Sequence, residues 1–173
     1  MHQDRLSMKR NAGLIKVSLS NPSDHVQLAA LFEEMQAHYE VSCPPREEIL
    51  QGLRDMPDGT EILVAGTTEI VGFAAFSSVY PGPGLQSGLF LKELFVSKQY
   101  RSSGAGTYLM QALARLALER GYKRVDWTAD RNNPQLLAYY DGFGATPKSE
   151  KLFYRLDGDA LAATAAGDGR EKA

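Results

Sequence analysis

The sequence predicts an α/β fold: a central mixed, mostly antiparallel β-sheet flanked by helices, in the order β-α-α-β-β-β-α-β-α-β-β. Three observations carry this expectation. Strand-like and helical apolar patterns alternate along the chain. Residues 66–69, Gly-Thr-Thr-Glu, form a turn between two apolar runs, a hairpin that a purely parallel sheet would not contain. Residues 89–119, LFLKELFVSKQYRSSGAGTYLMQALARLALE, read as strand, glycine-bearing loop and helix. The rest of the chain is organised around that stretch.

Residues 1–13 are polar and expected to fray. Residues 14–19 alternate loosely, as a first strand. Asn21-Pro22-Ser23-Asp24 offers N-cap chemistry for a helix to about Tyr39, with Val26, Leu28, Ala29, Leu31, Phe32 and Met35 on its apolar face. Pro44-Pro45 and Glu47-Glu48 open a second, shorter helix carrying Ile49, Leu50 and Leu53. Residues 61–65 and 70–80 are the hairpin strands, and Pro81-Gly82-Pro83-Gly84 ends the second. Leu109, Leu113, Leu116 and Ala117 recur at helical spacing after the central loop, and Gly121 suits the position just past that helix. Residues 122–129 form the next strand, Asn133-Pro134 opens a helix to about Asp141, and 145–147 with 152–156 look like a final pair of short strands. The alanine-rich tail starts as a short helix and ends charged, with 165–173 expected to be flexible.

The 173 residues suit a single domain, 1–173, with a sizeable core; 43% hydrophobic and 23% charged residues are ordinary for a soluble globular protein. A net charge of -2 argues against a nucleic-acid partner. It also means that an anionic ligand must be held by local geometry. No apolar run approaches the roughly 20 residues that cross a bilayer, so no membrane association is expected. Nor does the N-terminus carry the apolar segment of a secretory signal, so the expected compartment is the cytoplasm. One cysteine, Cys43, excludes an internal disulfide, and with only three histidines no metal site is expected.

The central loop has a physical use. The first turn of a helix presents N–H groups without intrahelical partners, and the helix dipole adds partial positive charge there. Glycines allow an anion close to that backbone, which makes a phosphate site, and Arg101 adds a full charge with a forked donor. Two glycines ahead of a helix also describe a tight loop that binds nothing. The G-x-x-x-x-G-K-[ST] loop is absent, because no lysine follows Gly106, and Leu109 stands where G-x-G-x-x-G needs its third glycine.

The pattern Arg101-x-x-Gly104-x-Gly106 after an apolar strand resembles the [QR]-x-x-G-x-[GA] loop of the GCN5-related N-acetyltransferase (GNAT) family. A second motif follows in the family's order: Asn133 seven residues before Tyr140, then Phe143-Gly144-Ala145. The likeness covers about residues 62–156 and extends to an acid in the central strand, as in polyamine and diamine acetyltransferases.

The resemblance implies a GNAT-like fold and acetyl-CoA as co-substrate. It implies that backbone groups of Phe95 and Val96 pair with the pantetheine arm, that Arg101, Ser102, Ser103, Gly104, Ala105, Gly106 and Thr107 hold the pyrophosphate, and that Asn133 bonds the cofactor arm. Tyr140 would protonate the departing thiolate, since a phenol with a pKa near 10 still carries its proton at neutral pH. Core packing is the competing role for Tyr140, and more so for Tyr139. Glu93 is the candidate base, which alternation would place on one strand face with Leu91 and Phe95; a salt-bridged structural acid is the alternative.

Tyr39, Tyr80, Glu93 and Trp127 are candidates for the substrate end, because carboxylates and aromatic faces attract ammonium groups. The expected function is transfer of an acetyl group to a small primary amine by direct attack. A non-catalytic acyl-CoA sensor and a protein amine as acceptor are the alternatives. A homodimer is common in the family, and the apolar final strands would serve as its interface.

Overall fold

The structure, a computed structural model, describes residues 14–167. The expected frayed residues 1–13 and the charged end 168–173 lie outside the described residues. The chain divides into two compact units, 1–128 and 129–173.

The first unit holds the sheet. Strand β1 (Lys16–Leu19) leads through a 3₁₀ turn into helix α1 (His25–His38), followed by α2 (Arg46–Arg54), β2 (Thr60–Gly66), β3 (Ile70–Val79), β4 (Gly88–Val96), α3 (Ala105–Glu119) and β5 (Val125–Trp127). The five strands run in sheet order β1-β2-β3-β4-β5; neighbours are antiparallel except β4 and β5, which are parallel.

Local chemistry explains the boundaries. Asn21 Oδ1 accepts from Ser23 N at 2.9 Å, while Asp24 Oδ2 accepts from Asn21 N at 2.9 Å, a reciprocal capping box ahead of α1. The β2–β3 hairpin needs Gly66, because a Cβ there would lie 2.0 Å from the Glu69 carbonyl oxygen. At the end of α3 the N–H of Gly121 donates to Leu118 O and that of Tyr122 to Ala117 O. This C-terminal cap consumes the residues expected to start β5, so the strand is three residues long rather than the expected run of 122–129.

Alternation splits the core into two layers. Ile62, Val64, Phe73 and Phe95 face α1 and α2, where Leu28, Leu31, Ile49 and Leu53 complete a buried cluster. Intervening residues such as Leu63, Ala74 and Phe76 are also buried, and α3 packs on the sheet through Leu109, Leu113 and Ala117. Val26, expected on the apolar face of α1, is 61% exposed.

The second unit contains helices α4 (Pro134–Asp141) and α5 (Gly158–Ala166). The expected final strand pair is not formed: 145–147 and 152–156 have no strand structure, and Leu152, Phe153 and Tyr154 are exposed. Apolar and aromatic content favours strands only where a neighbour accepts the backbone hydrogen bonds, and no strand occurs among the described residues of this unit. Instead, the Arg155 guanidinium lies over the Phe153 ring at 5.7 Å.

Candidate active site

Strand β4 is irregular where it carries its acid. Phe76 pairs with Leu91, but the adjacent Ala75 pairs with Glu93, so Lys92 is an extra residue, a β-bulge. Ala75 and Phe76 point to opposite sheet faces, and their partners do the same. The expectation that Leu91, Glu93 and Phe95 share a face is therefore corrected. Leu91 turns towards the other layer, whereas Glu93 joins Phe95 on the side of α1 and α2.

On that side Glu93 meets Tyr39, the residue that ends α1. The Tyr39 hydroxyl donates to Glu93 Oε1 at 2.7 Å. Tyr39 stacks against His38 at 5.3 Å between ring centroids, and His38 lies 6.2 Å from the Phe95 ring. The acid is thus half-buried and oriented by a phenol from an element 54 positions earlier in the chain. Among the described residues no lysine or arginine forms an ion pair with Glu93; the hydrogen-bond partner it has is Tyr39.

Beyond Leu91 the strand loses one neighbour. The β4–β5 register ends at Leu91 with Trp127, yet β4 continues to Val96. Among the described residues no strand covers the 92–96 edge on that side. Phe95 is buried with its ring 6.1 Å from Phe73, so its side chain is core.

The loop that follows is firmly tied down. Glu34 Oε1 accepts from Lys98 N at 2.7 Å, the Tyr100 hydroxyl donates to Glu69, and Ser103 N donates to Tyr100 O at 3.1 Å. Ser102 (φ 68) and Gly104 (φ 88) adopt left-handed conformations, and Gly104 is the residue from which α3 starts. Ser103 Oγ accepts from Ala105 N at 3.3 Å, while Gly106 and Thr107 head the helix with N–H groups that have no intrahelical acceptor. Ala105 is buried and anchors the turn. Arg101 is exposed, with Nε 3.5 Å from the Val96 carbonyl.

In the second unit Asn133 caps α4: its Oδ1 accepts from Leu136 N at 3.0 Å, leaving the amide NH₂ as the donor end. Tyr140 lies two turns further on, so the seven-residue spacing sets both on one side of the helix. Its ring is 5.3 Å from that of Tyr139, which also makes an edge contact with Phe143 at 5.1 Å.

Of the substrate-end candidates, the structure brings Tyr39 to Glu93. Trp127 sits in β5 opposite Leu91. Tyr80 is 67% exposed at the end of β3. Sequence reading overlooked Glu34, Glu69 and Tyr100 as anchors of the loop. Their contacts span 31 to 64 positions and leave no local signal. Among the described residues no cluster of His, Cys, Asp and Glu could hold a metal ion, and no helix is long and apolar enough to cross a membrane.

Comparison with known proteins identifies the family. The family model described as acetyltransferase (GNAT) family matches residues 28–145. The chain belongs to the GNAT family. It is 32% identical over 109 residues to L-ornithine N5-acetyltransferase NATA1 of Arabidopsis thaliana, covering 62% of this chain and 48% of that protein. It is 33% identical over 76 residues to the thialysine N-epsilon-acetyltransferase of Caenorhabditis elegans, covering 42% and 48%. The chain therefore spans about half the length of the curated relatives it matches. Among solved structures, an integron cassette protein from the mobile metagenome of V. cholerae superposes with a TM-score of 0.80 at 27% identity, covering 87% of this chain and 97% of that one. This GNAT chain also shares its fold with an aminoglycoside acetyltransferase from a soil metagenome, at a TM-score of 0.68 and 20% identity over 83% and 97% of the two chains.

Proposed function

We propose that the chain is an acetyl-CoA-dependent N-acetyltransferase that moves an acetyl group to a small primary amine by direct attack. The observation that carries this reading is the continuity of β4, loop and α3: one segment supplies an oriented carboxylate, a strand edge with no paired strand beyond Leu91 among the described residues, and a glycine-capped helix N-terminus. Acetyl-CoA fits these groups. Its pyrophosphate matches the N–H groups of Ser103 to Thr107 with Arg101 beside them, and its pantetheine arm matches the backbone edge at Phe95 and Val96 that β5 does not pair. The Asn133 amide supplies a donor to that arm.

Glu93 takes a proton from the substrate ammonium, directly or through water, with Tyr39 holding the carboxylate in place. The freed amine attacks the thioester carbonyl and the C–S bond breaks. Tyr140 gives its proton to the sulfur, and the second proton of the attacking nitrogen passes to the resulting phenolate, so that amide and thiol both leave neutral; the assignment of Tyr140 rests on its spacing from Asn133. Small amines are supported by the relatives named for acetylating ornithine and thialysine. The match across residues 28–145 supports reading the whole chain as one acetyltransferase domain. Exposed Leu152, Phe153 and Tyr154 support a homodimer within the same reading.

The test is coenzyme A release from acetyl-CoA across a panel of primary amines, with wild type and Tyr140→Phe. The expected result is amine-dependent release that falls by about tenfold or more in the variant. Release that ignores the mutation removes Tyr140 from the acid role. Tight acetyl-CoA binding without release for any amine, small or peptidyl, supports the sensor alternative.

A further inference from the structure

Between α1, α2 and the sheet lies a groove of about 360 Å³. Phe32 comes from α1, Ile49 and Leu53 from α2, Met56 follows them, and Ile62 and Ala75 lie on β2 and β3. Its polar side chains are Gln36 and Thr60, and none of its lining residues is charged. Two features tie it to Glu93. Ile62 pairs with Ala75 and Ala75 with Glu93, so the sheet residues of the groove and the acid form one row across three strands on one face. Gln36 stands three residues before Tyr39 on α1, one turn from the phenol that holds Glu93.

We propose that this groove takes the carbon chain of the acceptor, making the substrate a primary amine with an apolar substituent and no second charge along it. The inference rests on Glu93 as the base that receives the ammonium. Two strand spacings separate Glu93 from Ile62, roughly 10 Å, the reach of a chain of about six carbons. A methyl end buried there leaves water favourably. A second ammonium in the same place would be desolvated with no anion among the lining residues to pair it. Chain length should therefore help, and a terminal charge should hurt.

Hexylamine and 1,5-diaminopentane form the decisive pair, because they differ only by a methyl group against an ammonium. From propylamine to hexylamine, kcat/KM is expected to rise roughly fourfold per methylene, with hexylamine preferred to the diamine by about thirtyfold or more. Gly52 supplies the structural control. It lines the groove in α2, and a Cβ added there meets nothing within 4 Å. Gly52→Leu fills the groove without opposing the helix. It should lower kcat/KM for hexylamine by about tenfold and leave ethylamine within about twofold. A flat chain-length series, or a diamine equal to or better than hexylamine, overturns the proposal.

Calorimetric titration of both amines into the protein with coenzyme A separates this failure from that of the catalytic reading. Hexylamine binding that Gly52→Leu abolishes, without turnover, keeps the groove and removes the transferase. Turnover without the hexylamine preference keeps the transferase and removes the groove.

Discussion

Glu93 owes its position to Lys92. Without the extra residue, strict alternation would carry Glu93 with Leu91 away from Tyr39; the bulge returns it to the face where the phenol donates at 2.7 Å. Glu93→Gln keeps the shape and the hydrogen bond but loses the proton acceptor. It is expected to lower kcat/KM for every amine by about a hundredfold or more while leaving the KM for acetyl-CoA nearly unchanged, as steady-state kinetics would show. At Gly104 the controlling quantity is φ 88. Gly104→Ala forces a Cβ into the left-handed region at a cost of about 1 kcal/mol. Thermal unfolding should detect that loss, together with a raised KM for acetyl-CoA if the loop holds pyrophosphate.

Elements meet through pairs whose two contributions can be separated. Arg120, just past α3, donates to Glu61 of β2, with its second nitrogen 2.7 Å from Oε2. That bond holds the Glu61 carboxyl below its ordinary value and raises the guanidinium further. A depressed carboxyl stabilises the fold fully above its unfolded value, near 4.5, and loses that contribution as the pH falls through the lower folded value. Both side chains are about 30% exposed, so screening limits the pair to ~1 kcal/mol. Glu61→Gln should therefore be slightly less stable than wild type at pH 7, with the difference shrinking at pH 3 in denaturant titrations. At α4 the cap and the proposed ligand contact use different atoms of Asn133. Asn133→Asp retains an acceptor for Leu136 N and loses the NH₂ donor. It should leave the unfolding midpoint nearly unchanged and raise the KM for acetyl-CoA, whereas Asn133→Ala should also cost about 1 kcal/mol of stability.

At the scale of the whole molecule, the sequence revealed what local chemistry decides. The cap at Asn21, the turn at Gly66 and the passage from glycine-bearing loop to helix α3 each depend on neighbours a few residues away, and each was readable, though α3 starts at Ala105, inside the segment read as loop. The face of Glu93 was not, because a bulge exists only in relation to the partner strand. Tyr39 was a candidate on its aromatic character and its place at the end of the first helix, but its contact with Glu93 bridges 54 positions and required the packed sheet. Residues 152–156 mislead for a related reason: their composition favours a strand, and a strand without a partner has no hydrogen bonds to make.

Direct transfer from acetyl-CoA to an amine is the central claim, and isotope location tests it most directly. Acetyl-CoA labelled in the acetyl group is incubated with the protein, with and without a primary amine, and the label is located by mass spectrometry. Label that remains in acetyl-CoA until the amine is added, then passes to the amine in wild type and far more slowly in Glu93→Gln, is the predicted result. Label accumulating covalently on the protein, or passing to the amine equally fast without the Glu93 carboxylate, would contradict the account.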